Sequence, residues 1–333
     1  MDSNSSELKI NPEKMDFRAY SISWNLTKRC NLNCDHCYLD ANFRSGFRTD
    51  ELSTDECRRV IDQIAEVNPN AFLILTGGEP LLRPDIYDLI RHAAEKKFMV
   101  VLGTNGTLIN KTNAEKIKAA GAHGVGISID SMDAAKHNTF RGVPLAWERS
   151  MEAFDVLNEV GVDFLVQMSV SDMNYREIPD VVAFAEKAGA IAFNLYFLIC
   201  TGRGQGNTDI SNAAYEEALK LLYEQQMNYK GRLMINSKCA PQYKRVVYEN
   251  DPDSVYTRTY SGGCPAGTHY SRISPEGNLT PCPFIEETVG NLKISSFKDL
   301  WQNAPLMAQL RNRKQLEGRC GTCEFSAMCS GCR

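Results

Sequence analysis

The chain reads as a parallel α/β fold: an open, partial (β/α)6 barrel of the TIM type, followed by a small second domain organised around cysteine. Three observations predict this. Short apolar runs alternate with helix-period stretches from about residue 19 to residue 229, the pattern of consecutive βα units. Glycines fall where helices need a left-handed stop. Beyond residue 229 the pattern gives way to Cys-, Gly- and Pro-rich sequence with short strands, too little core to hold itself without ligands. The expected divisions are an amino-terminal extension at 1–18, the barrel at 19–230 and the small domain at 231–333.

Taken in order, strands are expected at 20–25, 72–75, 99–102, 125–129, 164–170 and 192–198, which makes six units and not eight. Between the first two, Ser53-Thr54-Asp55-Glu56 reads as a capping box, and Val60, Ile61, Ile64 and Val67 then recur at helical spacing. Pro84 and Asp85 open the next helix, which carries Ile86, Leu89, Ile90 and Ala93 on one face. Gly121, Gly161 and Gly189 each follow a helical stretch, so the punctuation agrees with the periodicity.

Composition narrows the partners. The 333 residues are 43% hydrophobic and 23% charged, ordinary for a globular chain with a full core. A formal charge of -4 and the lack of Lys/Arg runs argue against a nucleic-acid partner. No segment approaches the roughly 18 apolar residues of a membrane helix, and Met1 to Glu7 have neither a basic nor an apolar start. The expected setting is cytoplasmic, with no membrane partner. Thiols stay reduced there, so the 12 cysteines in CxxC-type clusters read as metal or cluster ligands more readily than as disulfides.

Cys30, Cys34 and Cys37 stand in a CxxxCxxC spacing. That offers an iron–sulfur cube three thiolates and leaves the fourth iron open for a ligand that takes part in chemistry. Parallel α/β folds gather ligands at the carboxyl ends of their strands, and the motifs fall there. The cysteine loop follows the first strand, Thr76-Gly77-Gly78-Glu79-Pro80 the second and Thr104-Asn105-Gly106 the third, while Ser128 and Asp130 close the fourth. A glycine pair lets backbone approach a ligand closely, although after a strand it also makes a plain turn. Asn105, Ser128 or Asp130 could instead cap a helix.

These motifs resemble the radical S-adenosylmethionine (SAM) superfamily. The family usually places an aromatic where His36 stands, and here Tyr38 follows the last cysteine instead. The resemblance implies that Cys30, Cys34 and Cys37 are catalytic and hold a [4Fe-4S] cluster with one open iron, and that SAM chelates that iron. An electron entering the sulfonium would then release a 5′-deoxyadenosyl radical, which abstracts hydrogen from an unactivated carbon. Family likeness assigns the SAM ammonium to Gly77, Gly78, Glu79 and Pro80. Strand order puts Asn105, Ser128 and Asp130 where they could bind the ribose.

Gly202-Arg203-Gly204-Gln205-Gly206 is no P-loop, because no Gly-Lys-Ser/Thr follows. Arg203 either pairs with a substrate carboxylate or sits in a flexible loop. Cys57 lies on an apolar helix face and Cys200 ends a buried strand, so both read as inert packing residues.

Further on, Cys264, Gly277, Cys282 and then Cys320-x2-Cys323-x5-Cys329-x2-Cys332 resemble the SPASM domain, which binds one or two auxiliary iron–sulfur clusters. The family usually leaves three residues in its last clustered pair and has another Cys downstream; here the gap is two and the sequence stops at Arg333. Two four-thiolate cubes need eight ligands, and the region supplies seven: Cys239, Cys264, Cys282, Cys320, Cys323, Cys329 and Cys332. A truncated end would explain the deficit, as would an iron open to another ligand. By analogy Cys239, Cys264, Cys282 and Cys332 form one site and Cys320, Cys323 and Cys329 the other. Paired CxxC units are also zinc ligands.

Nearly the whole chain resembles the radical SAM enzymes of haem d1 and alternative haem biosynthesis. The likeness is carried by Trp24-Asn25-Leu26-Thr27, Gly103 to Thr107, Gly126 to Ser131, Phe140-Arg141-Gly142, Thr201-Gly202-Arg203-Gly204, Cys239-Ala240-Pro241 and Ile273-Ser274-Pro275. It implies oxidative removal of a tetrapyrrole carboxylate side chain, an auxiliary cluster accepting the surplus electron, and a donor such as flavodoxin or ferredoxin. The alternative is a peptide maturase, since related enzymes crosslink peptides. The mere 29 residues before Cys30 lean toward the tetrapyrrole. A third reading is an electron-transfer or zinc protein without turnover.

Overall fold

The computed structural model describes residues 17–42, 50–206, 210–254, 263–312 and 315–332. Ten strands form one sheet: β1 Ser21–Asn25, β2 Phe72–Thr76, β3 Met99–Thr104, β4 Gly124–Ser128, β5 Phe164–Val170, β6 Ala192–Phe197, β7 Met234–Lys238, β8 Tyr270–Ile273, β9 Asn278–Thr280 and β10 Gly290–Asn291. Their order is β10-β9-β8-β1-β2-β3-β4-β5-β6-β7. The run from β8 to β7 is parallel throughout, and β9 and β10 continue it antiparallel. β6 and β8 stand six positions apart, roughly 29 Å if the sheet were flat. Yet Tyr196 of β6 and Tyr270 of β8 lie within electrostatic reach of each other, so the sheet is curled into an open barrel.

Strand alternation sorts the two faces. In β1, Ile22 and Trp24 are fully buried against the helices, while Ser21, Ser23 and Asn25 take the other face. In β6, Phe193, Leu195 and Phe197 go outward to the helical layer, and Asn194 and Tyr196 turn to the lumen. The lumen is therefore polar, which suits a ligand-filled barrel better than a packed one.

Among the described residues eight helices flank the barrel: α1 Thr54–Val67, α2 Ile86–Glu95, α3 Lys111–Ala119, α4 Ala134–Arg141, α5 Ala146–Val160, α6 Ile178–Ala188, α7 Asn212–Asn228 and α8 Tyr243–Asn250. The Ser53 capping box forms as expected: Glu56 N–H donates to Ser53 Oγ at 3.3 Å and Ser53 N–H to Glu56 Oε2 at 2.8 Å. Gly161 and Gly189 stop α5 and α6 in the left-handed region. Four further helices follow β10: α9 Phe297–Asn303, α10 Pro305–Arg311, α11 Gly318–Gly321 and α12 Ser326–Cys329. No helix among the described residues is long and apolar enough to cross a membrane.

The six expected strands all form, and two more join the parallel run to make eight. The extra two, β7 and β8, come from beyond residue 230 and zip onto β6 and β1. Each offers only four or five residues of mixed polarity, too short a run for periodicity to separate from loop. The core is continuous across that position as well. Phe297, Trp301 and Met307 belong to the same buried cluster as Ile22 and Leu73, and Trp301 Nε1 donates to the Phe17 carbonyl at 2.7 Å.

Candidate active site

Residues 26–42 cross the carboxyl end of the barrel and carry the first three cysteines. Cys30 is 8% exposed, and burial, opposed in part by the Leu32 N–H, pushes its thiol up to about 12. Burial also raises Cys34, against the pull of the Arg141 guanidinium. All three thiols lie within electrostatic reach of one another. Leu32 N–H points at Cys30 Sγ and Ala41 N–H at Cys37 Sγ, both at 3.4 Å, as amides do around thiolates in clusters.

The loop is held by contacts that leave no room for side chains. Gly78 N–H donates to the Thr27 carbonyl and Glu79 N–H to the Arg29 carbonyl, each at 2.7 Å. A Cβ at Gly78 would stand 2.1 Å from the Arg29 oxygen, and one at Gly142 2.3 Å from the Asn33 oxygen. Asn33 N–H reaches the Arg141 carbonyl and Asp35 N–H the Phe140 carbonyl. His36 stacks on Phe140 with centroids 4.1 Å apart. Arg203 closes the other side, donating to the Cys34 carbonyl (3.0 Å), Asp40 Oδ1 (2.6 Å) and the Ala41 carbonyl (2.8 Å).

Arg203 is therefore neither a substrate clamp nor part of a loose loop; it fastens the cysteine loop, and Gly202–Gly206 is a 3₁₀ turn. Several expected SAM contacts are likewise occupied. Glu79 is fully buried and accepts from Thr104 Oγ1 (2.8 Å), Asn105 N–H (3.0 Å) and Leu81 N–H (3.0 Å). Burial, offset by those donors, pushes its carboxyl up to about 7. Its carboxylate thus joins β2 to β3 and caps the turn begun by Pro80. The N–H groups of Gly78 and Glu79 being spent, this strand end offers an ammonium carbonyl oxygens, the acceptors it needs.

Asp130, expected beside the ribose, is already engaged within the chain. It is 1% exposed, and Oδ2 takes the Arg141 guanidinium at 2.6 Å while Oδ1 accepts from Ser169 N–H at 2.9 Å. Arg141 in turn reaches Cys34 Sγ at 3.8 Å, so Asp130 positions the cation beside a cysteine. Asn105 folds back on its own turn: Oδ1 accepts from Thr107 N–H and Oγ1, and Nδ2 donates to Asn31 Oδ1. Ser128 ends β4 on the lumen row, opposite Gln167. His36, which stands where the family usually has an aromatic, has a buried Nδ1 with no hydrogen-bond partner among the described residues; burial first, then Arg141, holds its ring down to about 3.

The remaining cysteines fall into two groups. Cys239, Cys264, Cys282 and Cys332 act on one another electrostatically, with Cys332 hydrogen-bonded to Cys264. Burial pushes Cys239 and Cys282 up to about 12. Cys329 feels Cys320 and Cys323. Cys57 lies apart, fully buried in α1, and Cys200 follows β6.

The donor sets fit iron–sulfur clusters. Thiols whose neighbours are other thiols are costly as thiolates until a cation neutralises them, the more so where they are withdrawn from water, as Cys30 is. Among the described residues no three such side chains are already drawn together tightly enough for a single metal ion. Ligands of a cube stand one per iron, spread wider than the four around one zinc.

A parallel open barrel with buried thiols across its carboxyl end and further thiol groups behind it is the frame of an iron–sulfur enzyme. The sequence matches the Radical SAM superfamily over residues 24–185 and the SPASM iron-sulfur cluster-binding domain over 264–324. It is 37% identical over 320 residues to an AdoMet-dependent heme synthase of Methanosarcina barkeri (strain Fusaro / DSM 804), covering 94% of this chain and 90% of that protein. It is 31% identical to a pre-heme d1 synthase of Dinoroseobacter shibae, covering 93% and 80%. The fold matches Streptococcus suis SuiB bound to S-adenosylmethionine with a TM-score of 0.76, at 19% identity, over 96% of this chain and 74% of that one. The chain belongs to the radical SAM superfamily and carries a SPASM domain. Its cofactors are a [4Fe-4S] cluster, SAM and auxiliary iron–sulfur clusters.

Proposed function

We propose that this chain oxidatively removes a carboxylate side chain from a tetrapyrrole. The observation that carries the reading is the 37% identity to a heme synthase over nearly the full length of both proteins. The likeness to SuiB speaks for the fold alone.

When bound, the cube and SAM supply a 5′-deoxyadenosyl radical that takes hydrogen from carbon, and an auxiliary cluster supplies the acceptor for the electron left when carbon dioxide departs. Cys30, Cys34 and Cys37 hold the cube; the amides of Leu32 and Ala41 stabilise its thiolates. The carbonyl end of Gly77-Gly78 takes the SAM ammonium, and Ser128 on the lumen row is left as the ribose contact. Tyr38 hydroxyl accepts from Asn25 Nδ2 at 2.8 Å. Cys239, Cys264, Cys282 and Cys332 hold one auxiliary cluster and Cys320, Cys323 and Cys329 ligate another. A flavodoxin- or ferredoxin-type donor reduces the front cube.

Anaerobic incubation of the reconstituted protein with SAM, reductant and iron-coproporphyrin or decarboxylated sirohaem tests this. The expected product has lost the mass of formic acid for each propionate converted to vinyl, or of the excised acid for another side chain. Unchanged porphyrin beside a modified peptide would replace this reading with a peptide maturase. Zinc without sulfide, or clusters without SAM cleavage, would support a protein without turnover.

A further inference from the structure

Several arginines already have a carboxylate: Arg83 pairs with Asp85, Arg141 with Asp130, Arg203 with Asp40 and Arg245 with Glu216. Two cations of the lumen row do not. Arg272 of β8 donates only Nε, to Asn25 Oδ1 at 2.6 Å, and no carboxylate among the described residues pairs with it. Lys238, the last residue of β7, is half-buried on the same row, and no carboxylate among the described residues pairs with it. A half-buried cation that no carboxylate occupies is placed to receive an anionic ligand.

Their placement is specific. β7 and β8 end the parallel run at opposite margins, and the curl turns those margins toward each other: Cys239, next to Lys238, acts on Cys282, which Arg272 also reaches. Lys238 lies opposite Tyr196 in register. Tyr270 stands two residues before Arg272, on the same face. Tyr38, Tyr196 and Tyr270 act on one another electrostatically. Two cations thus flank a nest of phenol rings, with Cys37 on one side and Cys239 and Cys282 on the other.

We infer that Arg272 and Lys238 anchor two carboxylate side chains of a flat, polyanionic macrocycle whose face rests on Tyr38, Tyr196 and Tyr270. The inference rests on the tetrapyrrole reading above and deepens it, because it names the residues that choose a carboxylated substrate over a peptide. Anchored there, a side chain lies between the cysteine loop and the Cys239 group, where hydrogen leaves on one side and an electron on the other. Arg272 offers a planar fork suited to a carboxylate and Lys238 a point charge.

The test is equilibrium binding of coproporphyrin III, and of its tetramethyl ester in the same detergent, to cluster-loaded protein without SAM. The expected result is that Arg272→Gln and Lys238→Gln each weaken coproporphyrin by about tenfold or more and leave the ester unmoved, while Arg272→Lys and Lys238→Arg restore part of the loss. Iron content and circular dichroism of each variant report folding. Wild-type binding retained in both Gln variants would overturn the inference and leave the tetrapyrrole reading standing, the cations then serving only to balance the thiolates. Failure of the wild-type protein to bind coproporphyrin would overturn both.

Discussion

Residues 26–42 present three closely spaced cysteines and residues 315–332 four, yet the fold holds them in opposite ways. The first loop is gripped from β2, α4 and the turn at Gly202–Gly206 through main-chain contacts and two arginines. The second rests on two four-residue helices whose hydrogen bonds are mostly to near neighbours, such as Ser326 N–H to Cys323 and Cys329 N–H to Phe325. Cys30 is buried, whereas Cys320 and Cys323 are exposed. The difference teaches that the front cysteines are set out by the barrel itself, while the rear ones depend on what they bind.

The sharpest way to break this contrast is to disable each group in turn. Cys30, Cys34 and Cys37 replaced together by alanine should abolish 5′-deoxyadenosine formation altogether while leaving the fold intact; survival of that product would end the assignment. Cluster removal by chelation should be nearly as decisive for the rear. Hydrogen exchange should then speed up in 315–332 to the rate of an unfolded segment and stay slow in β1 to β6. Equal protection in both regions would refute the comparison.

Smaller effects sharpen it. Gly78→Ala forces a Cβ onto the Arg29 carbonyl and should cost about 3 kcal/mol or more, with loss of front-cluster iron read by spectroscopy. Glu79 gives a pH signature in the cluster-free protein. Its carboxyl is raised from 4.5 to about 7, so the folded state keeps a proton there that the unfolded chain releases. Stability should fall as pH rises through that window, by on the order of 3 kcal/mol, and Glu79→Gln should flatten the profile. Arg203→Ala should be mildest, about 1–2 kcal/mol, seen as faster loss of the front cluster to a chelator; an unchanged rate would show that the clamp is dispensable.

Local signals carried much of this into the sequence. The six leading strands, the Ser53 cap and the glycine stops of α5 and α6 are each written within a few residues. The spacing of Cys30, Cys34 and Cys37 is local too. What stayed hidden depends on distant partners: Arg203 lies 163 positions from Asp40, and Arg272 lies 247 from Asn25. Asp130 looked like a ligand because it ends a strand; only the folded chain shows Arg141 filling its place. Tyr-Ser-Arg-Ile of β8 holds the alternation that aims Arg272 inward, but nothing in four residues says which strand it joins.

The pairing of Ser21 with Tyr270 also dictates an order of events during synthesis. Until residue 273 clears the ribosome, β1 is a bare edge beside the cysteine loop, open to mispairing with other nascent strands. Iron delivered during that interval would meet a half-walled cradle, so the productive moment for loading comes late, once translation has supplied the closing strand.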